Sequence, residues 1–276
     1  MIEKSISVNR ENDLFLTYIA DKLKKTLTAN NGVMCRHYSG ERAYLTFAYN
    51  DADDVQVDRL LRDGLCDLYA IGYKKQYLTS QLGMRPDTLL KKTLLNAMSI
   101  FDIRSDKKSV NKVLGKIEDF SLDGFYNFRL TSLKERWKEL ICVSLHNSAV
   151  LWDEATMREF LSFLLDTIPP LADDVTVRFF QNDFLIRDDK GRVFEKLYLL
   201  SDEKPEETLI YNLICISPQS VTILIDREMD SDWKDFMFDF FNVTFERVEN
   251  SKQSPILNLR KGDDCTKTTR ENNRIE

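Results

Sequence analysis

Glycine and histidine are scarce in this chain, nine and two among 276 residues. The glycines form neither GxGxxG nor GxxxxGK[ST], so no backbone cradle for phosphate is encoded and the ordinary nucleotide-binding classes are disfavoured. His37 and His146 make no HExxH, the cysteines make no CxxC, and no serine occupies a GxSxG elbow. Metallohydrolase and serine-hydrolase chemistry thus lack their usual residues, and neither a cofactor nor a metal is expected. Charged residues, 30% of the chain, interrupt every apolar run well before the ~20 residues that span a bilayer. The opening MIEKSISVNREND has no apolar signal core, so a cytoplasmic protein without membrane insertion is expected. Cys35, Cys66, Cys142, Cys215 and Cys265 are odd in number and widely spaced, which suits reduced thiols better than a disulfide framework.

What is present is core material: 43% hydrophobic and 11% aromatic residues, enough for one large domain or two ordinary ones. The N-terminal part reads as a βαββ unit. Ile2, Ile6 and Val8 suit a strand, Leu14 to Leu27 carry helical spacing, and Val33–Tyr38 and Ala43–Tyr49 form a hairpin turned at Ser39 and Gly40. A long helix from Asp53 to Leu82 follows, stopped by Gly83. Helices over 86–101, 106–117, 120–145 and 153–168 make a central helical block that Pro169 and Pro170 end. Beyond it the period becomes twofold: a three-stranded meander through residues 175 to 200, a helix from Pro205, a strand at Val221–Ile225, a helix at Trp233–Phe241 and a last strand at Val243–Val248. The expected fold is therefore α+β, a mixed α/β arrangement. Its parts are 1–84 (α/β unit with long helix), 85–170 (helical block), 171–248 (mixed sheet with helices) and 249–276 (a polar tail read as disordered).

Between Phe120 and Leu145, residues Phe125, Phe128, Leu133, Trp137, Leu140, Ile141 and Leu145 gather on one helical face, with Ser121 as N-cap. Arg129 is the intruder on that apolar side, four residues from both Phe125 and Leu133. It must snorkel, join a buried ion pair that fixes helix register, or bind an anion. The FxxFRL of this helix, followed by FLSFLLDTIPPLADDVTVRF and LIYNLICISPQSVTILID, resembles the YtxC-like family of sporulation proteins from endospore-forming bacteria, over Ile2 to about Val248 and best in residues 120 to 226. The resemblance implies a sporulation context. It carries no catalytic signature.

Net charge is −6, yet residues 85–117 hold eight basic and three acidic side chains. Lys91, Lys92, Lys107, Lys108 and Lys112 are the candidate nucleic-acid patch, and a solvated helical face is the plainer reading. Tyr69, Tyr73 and Tyr77, beside Lys74 and Lys75, could stack on single-stranded bases, although such stripes more often pack at helix interfaces. Cys142 and His146, one turn apart, could ligate metal or activate a thiolate but lack a third group. The paired carboxylates Asp53-Asp54, Asp173-Asp174, Asp188-Asp189 and Asp263-Asp264 fall at helix starts, strand openings, turns or the tail, where aspartate bonds to backbone. The favoured reading is a non-enzymatic protein-interaction or regulatory factor. Its alternatives are nucleic-acid association through 85–117, and an enzyme with an unfamiliar site.

Overall fold

The computed structural model describes residues 1–146, 153–180, 183–194 and 204–247, with the side chains of 143–146 left aside. The expected meander residues 195–200, Asn182 and the tail from Glu249 lie outside them. The fold is the mixed α+β arrangement read from the sequence, with two four-stranded sheets.

Strand β1 (Ile2–Asn9), helix α1 (Leu14–Ala29), β2 (Val33–Ser39) and β3 (Arg42–Tyr49) form the βαββ unit. Alternation puts Ile6, Val8, Leu45 and Phe47 on the face that meets Leu16, Ile19 and Leu23 of α1. Gly40, at φ +58°, makes the hairpin turn, a backbone state that side chains resist. A single rod follows: α2 (Asp54–Asp67), a π-helical turn at Leu68–Tyr73, and α3 (Lys74–Leu82), capped by left-handed Gly83. Next come α4 (Leu89–Ile100), with Thr88 as N-cap, and α5 (Ile103–Val113).

The sequence between Phe120 and Leu145 does not make one helix. It makes β4 (Asp119–Ser121), α6 (Leu122–Arg129) and α7 (Thr131–His146). Strand β4 adds in parallel beside β1, giving the order β2-β3-β1-β4. Ser121 does cap α6, accepting from the Gly124 amide. Leu130 leaves helical geometry and is buried, so the chain turns there and the 3.6-residue register on either side no longer shares a face.

After α8 (Glu154–Thr167), the second sheet is built from β5 (Asp174–Phe180), β6 (Asp183–Asp188), β7 (Ser220–Ile225) and β8 (Val243–Arg247) in the order β6-β5-β7-β8. Helices α9 (Pro205–Ile216) and α10 (Ser231–Phe240) supply the crossovers, and β5, β7 and β8 run parallel.

Two apolar clusters hold the molecule together. One joins the first sheet, α1, α2 and the π turn to Val110 of α5, Phe125 of α6 and Trp137 of α7. The other joins α4, α8, α9 and the second sheet to Ile141 of α7. Among the described residues the helices of the helical block divide between the two clusters, and α7 enters both.

Candidate functional site

The π turn widens the rod by part of a residue and changes its facing, which brings Lys74 inside, about 1% exposed. Its ammonium donates to Asp106 Oδ2 at 2.8 Å and to the Phe101 carbonyl at 2.6 Å. The same Asp106 oxygen accepts from Trp137 Nε1 at 3.0 Å. Arg136 completes the group, bonded to Ser105 and Ser109 and 3.4 Å from Asp106 Oδ1. Burial draws the Lys74 pKa below its ordinary value, against the pull of Asp106. Three helices thus converge on one neutralised pair, and its bonds fix the corner between α4 and α5.

That corner is unusual. Asp102, the residue before α5, sits at φ +55°, a left-handed state that aspartate tolerates at some cost. Here the corner forms one wall of a cavity of about 370 Å³, lined by Ile100, Phe101, Ile103, Ile168, Leu171 and Cys215, with the charges of Asp102 and Arg104. The facing wall is also tied down. The Leu171 amide donates to Ile216 O at 2.8 Å, and Ser217, itself at φ +48°, donates its hydroxyl to Ile168 O at 2.9 Å. Burial pushes the Cys215 thiol up to about 12, so it is protonated and unreactive at neutral pH. The cavity has the volume and apolar lining of a small-molecule site.

A polar cleft of about 580 Å³ lies between α1, α2 and α5, lined by Lys22, Asp63, Cys66, Asp67, Lys107 and Lys108 among others. Asp67 fills its electrostatic centre. It accepts from Lys22 at 2.7 Å and Tyr18 at 3.1 Å, and pairs closely with Lys107. Burial opposes the Asp67 charge, but Lys107 and Lys22 outweigh it and hold the carboxyl below its usual range. Burial likewise raises Cys66 to about 11.

The residues singled out in the sequence are scattered. Arg129 is not on an apolar face: it ends α6 on the surface, with no ion pair or hydrogen bond among the described residues, next to Phe128 at 81% exposure. The turn at Leu130 removed the helical register on which its burial depended. Of the basic patch, Lys91 pairs with Asp87, Lys92 with Glu207 and Lys107 with Asp67, whereas Lys108 and Lys112 are exposed without ion pairs among the described residues. Tyr69 and Tyr73 are buried and donate to Leu122 O and Asp123, while Tyr77 packs on Trp137, so the stripe lies within the helix interface. Cys142 is exposed, and the His146 side chain lies outside the described residues. Among the described residues no group of three potential ligands could hold a metal ion, and no helix is long and apolar enough to cross a membrane. Sequence reasoning named Lys74 only beside the tyrosine stripe and missed its burial, its pairing with Asp106 and the cavity. The one available signal was Lys74 within the buried tyrosine stripe. No family model, curated protein or solved structure matches this chain.

Proposed function

We propose that the chain is a non-enzymatic protein-interaction or regulatory factor of the cytoplasm and, from the resemblance read over Ile2 to about Val248 and best in residues 120 to 226, that it serves the sporulation programme of an endospore-forming bacterium. The observation that carries the interaction reading is the pair of exposed phenylalanines, Phe163 of α8 and Phe238 of α10, on two helices joined by a charged clasp. Arg158 of α8 reaches Asp239 of α10 at 2.7 Å and lies over the Phe240 ring, tying the two helices together. On α8 Phe163 is 57% exposed and stacked on Phe160, and on α10 Phe238 is 58% exposed and edge-on to Phe245. Large aromatic side chains held rigidly at the surface are the residues that anchor protein interfaces. The buried Lys74 and Asp106, by contrast, are occupied in holding helices together.

A tagged full-length chain should retain a defined partner that then binds the purified protein directly. Phe163→Ser with Phe238→Ser should weaken that direct binding at least tenfold, about 1.4 kcal/mol or more, without lowering the melting temperature. Equal binding by the double variant, or reproducible turnover of a substrate by the pure protein, would defeat this reading. A second reading is nucleic-acid contact, favoured by the four-residue spacing of Arg104, Lys108 and Lys112 on the outer side of α5. Salt-sensitive retention of DNA or RNA, lost in Lys108→Gln with Lys112→Gln, would favour it instead.

A further inference from the structure

The cavity between the α4–α5 corner and the end of α8 has two kinds of surface. Its interior is hydrocarbon: Ile100, Phe101, Ile103, Ile168 and Leu171, with the protonated thiol of Cys215. An open cleft with such a lining offers water few polar partners and is well served by an alkyl chain. At about 370 Å³ the cavity lies toward the lower end of the range for small-molecule sites, which suits a chain of medium length.

The charged rim decides the head group. Asp102 lies in the field of the buried Lys74, whose ammonium it helps to keep protonated. Lys107, one turn along α5, is committed to Asp67. Arg104 is exposed and lines the cavity with no ion pair among the described residues. A guanidinium in that position presents a planar fork of donors matched to a carboxylate. We propose that this cavity binds a medium-chain aliphatic carboxylate, its tail among Ile100, Ile103, Ile168 and Leu171 and its head group on Arg104. Both walls are already fixed, one by the Lys74 bond to Phe101 O and the other by the bonds from Leu171 and Ser217, so little ordering is required when the ligand enters. This site is separate from the exposed phenylalanines of α8 and α10 and does not depend on their role.

Calorimetric titration of the full chain with decanoate, decanol and decylammonium tests the assignment. Decanoate should bind saturably at one site and more tightly than either of the others. Arg104→Gln, at an exposed position, should weaken decanoate tenfold or more and leave decanol within twofold. Leu171→Trp, which starts from a half-exposed side chain and fills the cavity, should abolish binding of both while circular dichroism stays unchanged. The proposal is overturned by any of three results: no saturable decanoate binding, decylammonium binding as tightly as decanoate, or Arg104→Gln binding decanoate like the parent.

Discussion

Lys74 and Asp106 owe their burial to each other. An ammonium deprived of water is tolerable only because a carboxylate and a backbone carbonyl replace its hydration, and Asp106 in turn is satisfied by Trp137 and Arg136. Removing one partner is therefore far worse than removing both. Asp106→Ala should cost about 3–5 kcal/mol in urea unfolding, whereas Lys74→Met combined with Asp106→Leu should recover most of that loss. A single-variant cost below about 1 kcal/mol would show that the pair does not anchor the helices. Arg129 teaches the converse. Its sequence neighbours promised an apolar environment, yet its exposure was set by the conformation of the next residue, Leu130, which no periodicity argument reports.

At the scale of elements, the sequence was legible wherever local chemistry acts on its own chain. Alternating side chains located β1 and β3, Gly83 ended α3, Ser121 capped α6, and Pro205 with Glu206 and Glu207 opened α9. Illegible were the features created by partners distant in sequence: the three-residue β4, which exists because β1 offers it a free edge, and the break at Leu130 between α6 and α7. The α4–α5 corner belongs with these, since it is held by a lysine 27 residues earlier. Its strain is measurable. Asp102→Gly, which removes the left-handed penalty at φ +55°, should raise stability by about 0.5–1 kcal/mol in thermal unfolding. A loss instead would mean that the aspartate side chain stabilises the corner by more than its backbone conformation costs.

For the whole molecule, the electrostatic clasp at Asp67 joins α1, α2 and α5 through Lys22, Tyr18 and Lys107. Because the folded-state pKa of Asp67 lies below its unfolded value, its contribution is fully present above the unfolded pKa, near 3.9, and is lost as pH falls through the folded value. Asp67→Asn should accordingly cost about 1–3 kcal/mol at pH 7, and the difference between variant and parent should shrink on acidification. Denaturation midpoints at pH 7, 5 and 3 measure it; a pH-independent difference would assign the effect to packing rather than charge. The two apolar clusters meet along α7, with Trp137 in one and Ile141 in the other, so loosening this helix should be felt in both sheets.

Most of the strands and helices, the mixed character of the second sheet and the absence of familiar catalytic spacing were determined by the sequence itself, β4 and the break at Leu130 excepted. These follow from side-chain periodicity and from proline and glycine stereochemistry, which act over a few residues. Which lysine is inside, how the helical block divides between two cores, and where an apolar cavity meets Arg104 were decided only in the tertiary structure. Burial, ion pairing and cavity shape depend on groups brought together from 30 to more than 100 residues apart, and no local pattern records such meetings.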